Sequence, residues 1–146
     1  MATRTARTAW TGTLQEGSGH TELASSGLGT FDVSWPKRVS DSADGSTSPE
    51  ELIAAAHASC YAMAFSGGIA KAGGTPQSLD VTADVDFGPD KERGGFMITG
   101  IKLTVRGVVE GISSEDFVAA AEDAKKNCPV SAALTGTTIT LTASLA

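Results

Sequence analysis

Cysteine is nearly missing from this chain: its 146 residues include two, Cys60 and Cys128. Two cysteines cannot form the dense disulfide framework of small secreted folds, and a chain of this length buries enough surface to fold without one. Aromatic residues are also scarce, at 5%. The core must therefore lean on Ala, Val, Ile and Leu. Positive charge is short as well: 11 Lys and Arg stand against 17 Asp and Glu, for a formal net charge of -6. That balance argues against a nucleic-acid partner, whose phosphates need a basic surface. It argues equally against docking on anionic lipid. The segment Met1 to Trp10 has no apolar run of the secretory kind, so a cytoplasmic protein with reduced thiols is expected. Leu52 to Ala70 is long and uncharged, but His57, Ser59, Ser66, Gly67 and Gly68 interrupt it. It reads as a buried central helix rather than a membrane span.

The length fits a single domain over 1–146. Thr8 to Leu14 and His20 to Leu23 suggest a strand pair across Gln15-Glu16-Gly17-Ser18-Gly19. Phe31 to Trp35 alternates apolar and polar residues, which predicts a third strand. A polar loop, Ser40 to Thr47, leads to Ser48-Pro49-Glu50-Glu51. There Ser48 suits an N-cap, Pro49 the first turn, and Glu51 the third position of a capping box. The helix should run to about Ala72, where Gly73-Gly74-Thr75-Pro76 stops it, with Gly67-Gly68 as a candidate break. Strands are expected over Leu79–Phe87 and Phe96–Val109, a helix from Ser113 or Ser114 to Lys126, a helical turn over Val130–Leu134, and a last strand over Thr137–Leu145. The order β-β-β-α-β-β-α-β indicates an α+β fold with a largely antiparallel sheet.

Chemistry in this chain depends on few residues. A cysteine inside an Ala-rich helix, as Cys60 is, is by default a small buried hydrophobe. An unperturbed thiol with a pKa of about 8.5 is only about 3% thiolate at pH 7. Bringing that pKa to about 6 needs about 3.4 kcal/mol of differential interaction. Burial acts the other way, so a reactive Cys60 requires a nearby cation. Cys128 precedes Pro129 at the apparent start of a helical turn, where helix electrostatics favour a thiolate, and it reads locally as the more acidic thiol or as a plain N-cap. His57, three residues before Cys60, lies on the same helical face. It is open to four readings: packing, hydrogen bonding, a base for Cys60, or a metal ligand joined by Cys60 and Cys128. His20 has no partner visible in sequence. Arg38 and Glu50 bracket the polar loop and read equally well as an exposed cation and a helix N-terminal carboxylate.

The run from Ser48-Pro49-Glu50-Glu51-Leu52 through His57-Ala58-Ser59-Cys60 to Ser66 resembles the signature segment of the OsmC/Ohr family, and Asn127-Cys128-Pro129-Val130-Ser131 resembles its second cysteine segment. The order of elements agrees along nearly the whole chain, and the His57 and Cys-Pro-Val-Ser contexts are closer to the OsmC branch. The resemblance implies an intertwined homodimer with active sites at the subunit interface. It implies a peroxidase that reduces organic, lipid-type hydroperoxides in oxidative or osmotic stress defence, with no cofactor and no metal. Cys60 would be the peroxidatic thiolate, Cys128 the resolving thiol, and Glu50 the active-site carboxylate. Arg38 is the best match for the guanidinium, with Lys37, Arg4 and Arg7 as rivals. The regenerating reductant would be an external dithiol of the dihydrolipoyl kind. Met63 and Phe65 are candidates to line an apolar substrate pocket. Glu50 and Cys60 are ten residues apart, a rise of about 15 Å and a turn of about 80° on one continuous helix. One site holding both needs either a break in the helix or a second chain. Two further functions stay open on the same residues: a non-catalytic binding protein for small apolar ligands, and a Cys-His hydrolase using His57.

Overall fold

A computed structural model describes all 146 residues, Met1–Ala146. The chain divides into two compact units, Met1–Leu52 and Ile53–Ala146.

In the first unit β1 (Arg7–Thr11), β2 (Ser18–Glu22) and β3 (Thr30–Val33) form an antiparallel sheet in that order. β1 is shorter than the expected Thr8–Leu14, because Gly12 turns the chain with φ +92 and the link back to β2 closes tightly. A Cβ on Gly17 would stand 2.3 Å from the Thr13 carbonyl oxygen, so only glycine fits there. The third strand also ends early. Trp35, expected at its end, instead opens α1 (Trp35–Arg38), where the Ser34 hydroxyl accepts the Lys37 N–H and Pro36 occupies the first turn. The cap and the proline outweigh the alternating pattern. No apolar side chain of this unit is buried, and Trp10, Leu14 and Leu28 are 43%, 56% and 83% exposed.

The helix α2 (Pro49–Lys71) starts as expected, with the Ser48 hydroxyl accepting the Glu51 N–H at 3.2 Å. The Glu51 carboxylate accepts from the Thr47 hydroxyl. Gly67-Gly68 does not interrupt it. It ends at Gly73, φ +87, with the Gly74 N–H bonded back to the Ile69 carbonyl. By length and composition α2 could cross a membrane. Its His57, Tyr61, Phe65 and Ile69 stripe, however, is fully buried in the core of the second unit.

The second sheet joins β4 (Thr75–Pro89) and β5 (Phe96–Glu110) antiparallel, and β6 (Ile139–Leu145) parallel to β5. The strands thus form two sheets, antiparallel in three of four pairings. β4 begins four residues before the expected Leu79, carried past Pro76 by a bulge between Pro76 and Ser78. Alternation puts Ile101, Leu103 and Val105 inward. Leu103 and Val105 share a core with α3 (Ser114–Asn127), capped by Ser113, through Phe117, Ala121 and Ala124. The Tyr61 hydroxyl donates to the Ala121 carbonyl at 2.9 Å, and Phe65 meets Phe117 edge-on at 5.0 Å. Gly107 makes room for Phe117, since a Cβ there would stand 2.7 Å from its ring. Phe117→Ala is therefore expected to cost about 3–5 kcal/mol in urea unfolding. A loss no larger than that of the half-exposed control Val118→Ala would contradict this packing.

Candidate active site

The two thiols belong to the second unit. Cys60 is half-buried on α2, and Cys128 is fully buried where α3 gives way to α4 (Pro129–Ala133). Pro129 explains the break. The residue before a proline is driven out of the helical region, and Cys128 is extended, with φ -63 and ψ 121. Both cysteines are free; Cys60 packs against the cluster that holds Cys128, and each thiol acts on the other's acidity. Their acidities diverge. Burial pushes the Cys60 thiol up, the Val130 N–H draws it back, and the neighbouring Cys128 sulfur raises it again. Burial also acts against the Cys128 thiolate. The Ser131 N–H, the Cys60 thiol, the Ser131 hydroxyl and the Val130 N–H together outweigh it and hold Cys128 below its ordinary value. These groups act without a short capping hydrogen bond to the sulfur. Within one chain Cys128 is thus the more acidic thiol, in keeping with its place before Pro129.

His57 does not pair with Cys60. Its Nε2 lies 2.7 Å from the Ser131 Oγ, and its buried Nδ1 has no partner. No three His, Cys, Asp or Glu side chains come together in a metal-ligating group. Burial holds the His57 pKa below 6.5, its ordinary value. The native state therefore resists protonation, while the unfolded chain takes the proton below about 6.5. Stability from this site is complete above that pH and declines as pH falls through the window beneath it. Thermal melts from pH 7 downward should lose stability in that window, and His57→Gln should flatten the slope. An unchanged slope would contradict a neutral buried His57.

Arg38 and Glu50 meet in the first unit, across the loop that separates them in sequence. The Arg38 Nη2 donates to Glu50 Oε1 at 2.6 Å, and Nε donates to both carboxylate oxygens at 3.2 Å. The Glu50 side chain is 9% exposed. A forked pair of this kind fixes the guanidinium plane. The rival cations are placed otherwise. Lys37 pairs with Asp44 at 2.9 Å, Arg4 donates to the Thr3 carbonyl, and Arg7 lies exposed on β1. A cavity of about 370 Å³ beside Arg38 has apolar walls that include Trp10, Leu14, Val33, Trp35 and Leu52. Of the two expected pocket residues, Met63 is 71% exposed on α2, whereas Phe65 is core and fully buried against Phe117. Ser131 was not singled out by its sequence context. Its place three residues after Cys128 is legible, but its contact with His57, 74 positions earlier, is not.

Two free thiols of unequal acidity, side by side on an α+β frame, define a candidate dithiol redox site. The family model described as OsmC-like protein matches residues 42–143. The peroxiredoxin OsmC of Escherichia coli K12 is 40% identical over 125 residues, which are 86% of this chain and 85% of that protein. The organic hydroperoxide resistance protein OhrA of Bacillus subtilis is 33% identical over 90 residues, 62% of this chain and 61% of that one. A solved organic hydroperoxide resistance protein from Elizabethkingia anophelis, with thiocyanate bound, superposes with a TM-score of 0.79. It is 29% identical, and the match covers 100% of this chain and 98% of that one. The chain belongs to the OsmC-like family.

Proposed function

We propose that this chain is a thiol peroxidase that reduces organic hydroperoxides to alcohols, in oxidative or osmotic stress defence in the cytoplasm. The observation that carries this reading is the pair of free thiols, with Cys60 packed against the core cluster that holds Cys128. The names of the relatives support the reaction class. The Cys60 thiolate attacks the terminal oxygen of the hydroperoxide, the O–O bond breaks, and the alkoxide leaves as an alcohol after taking a proton. Cys60 is then a sulfenic acid. The Cys128 thiolate attacks that sulfur, the disulfide forms, and the hydroxyl leaves as water. An external dithiol of the dihydrolipoyl kind reopens the bridge and is itself oxidised to a disulfide.

One chain leaves Cys60 on the wrong side of this scheme, because its thiol is raised rather than lowered. The proposal therefore takes Arg38, held by Glu50, from a second copy, where it stabilises the Cys60 thiolate and the charge developing on the peroxide oxygens. α2 is unbroken from Pro49 to Lys71, so it does not fold Glu50 back onto Cys60. The first unit buries no apolar side chain of its own, and such a small sheet needs further packing to be stable. Both facts favour an intertwined homodimer, with 1–146 acting as one functional domain. The apolar cavity beside Arg38 suits the alkyl part of an organic hydroperoxide.

Steady-state consumption of cumene hydroperoxide, with a lipoyl dithiol as reductant, should exceed that of hydrogen peroxide at equal concentration. Equal rates would remove the organic preference. No consumption of either, with both thiols intact, would favour an apolar-ligand-binding protein that uses the same cavity.

A further inference from the structure

One cleft of the second unit is lined by polar side chains that can all donate a hydrogen bond, and none of them is a carboxylate. It encloses about 230 Å³ among the last turn of α3, α4 and the start of β6. Lys125 and Lys126 line it together with the hydroxyls of Ser131, Thr135 and Thr137. None of the four residues used in the scheme above reaches it. Lys125 is balanced by Glu122 at 2.9 Å, whereas Lys126 pairs with no carboxylate. The Thr135 and Thr137 hydroxyls bond to no group of the protein. Ser131 is 4% exposed, and its oxygen is held 2.7 Å from the His57 Nε2, so one polar wall is buried and fixed. A chain of net charge -6 thus keeps one unbalanced ammonium beside two idle hydroxyls. Lysines in a last helical turn also complement the helix dipole, but that role engages neither threonine and needs no cleft.

We propose that this cleft is a second ligand site, which binds a small alkyl carboxylate through the Lys126 ammonium and the Thr135 and Thr137 hydroxyls. An ammonium with two hydroxyl donors complements an oxyanion, and the charged donor makes the stronger bond. The remaining walls, Ala132 and Ile139, are apolar. They suit a short carbon chain and offer nothing to a phosphate or sulfate, whose oxygens want donors on every side. The volume falls below the roughly 300 Å³ at which sites for drug-sized ligands begin. That excludes a nucleotide or a folded peptide segment and leaves an acid of a few carbons. The site goes beyond the peroxidase reading and stands without it.

The test titrates the full chain with sodium valerate at constant ionic strength and follows amide shifts by two-dimensional nuclear magnetic resonance. Saturable shifts are expected at Lys126, Thr135 and Thr137. Lys126→Gln should weaken binding about tenfold, the worth of one charge-assisted hydrogen bond. Thr135→Val should weaken it by less, and Lys91→Gln in the turn between β4 and β5 should leave it unchanged. Lys126 and Thr135 are exposed, so these variants should melt close to the parent. Acetate should bind about fourfold more weakly than valerate, the worth of one buried methylene. Shifts that grow linearly and match those from sodium chloride would overturn the proposal. So would equal affinities in Lys126→Gln and the parent. Phosphate binding as tightly as valerate, or acetate matching valerate, would overturn the assignment to an alkyl carboxylate.

Discussion

Cys60→Ser should abolish hydroperoxide turnover down to the uncatalysed background, while Cys128→Ser should complete one oxidation and then stall. The asymmetry follows from the division of work between the sulfurs. A serine hydroxyl at position 60 cannot accept the transferred oxygen, so no part of the cycle survives. A serine at position 128 leaves the attack intact and removes only the sulfur that closes the bridge. The Cys128→Ser chain should therefore carry a sulfenic acid that a dimedone-type trap labels at Cys60. Within one chain Cys128 is the more acidic thiol, which gives the experiment a second possible answer. Should Cys60→Ser retain the single oxidation and label at Cys128, the two roles are reversed.

The second large effect concerns the cation. Arg38→Ala should lower kcat/KM by about 10²–10³, the loss typical of removing one preorganised electrostatic donor. Glu50→Gln should cost less, because the guanidinium remains and only its forked anchor is weakened. The sharper expectation concerns mixing. Arg38→Ala alone should be weakly active and Cys60→Ser alone inactive, but co-refolding the two should raise turnover well above either. In a mixed dimer one site then receives an intact Cys60 from one copy and an intact Arg38 from the other. If both residues served a site within their own chain, every site would remain defective and mixing would restore nothing. A monomer by light scattering with full activity would have the same meaning.

The parts of this fold that were legible in sequence depend on local chemistry. Ser48-Pro49-Glu50-Glu51 sets the start of α2 because a hydroxyl and a proline act within one turn. Cys128-Pro129 ends α3 because the proline ring dictates the preceding ψ. The periodic segments of β4, β5 and α3 could be read for the same reason. Residues whose roles depend on distant partners were misread or missed. Phe65 was expected near a substrate pocket, but Phe117, far along the chain, takes it into the core. Trp35 fits the alternation of β3, and only the competition between that pattern and the Ser34 cap decides for α1. The parallel pairing of β6 with β5 is a crossover that no local signal announces. For the candidate site, the family resemblance supplied the four residues, while the Arg38–Glu50 fork and the His57–Ser131 contact needed the structure.

The central claim is that a hydroperoxide drives Cys60 and Cys128 of one chain into a disulfide. The most direct measurement adds one equivalent of cumene hydroperoxide to the fully reduced protein, counts free thiols, and maps the bridged peptides by mass spectrometry. The account predicts loss of both thiols and a Cys60–Cys128 bridge within a single chain. Thiols that survive excess hydroperoxide, or a bridge that joins Cys60 of one copy to Cys60 of another, would contradict it.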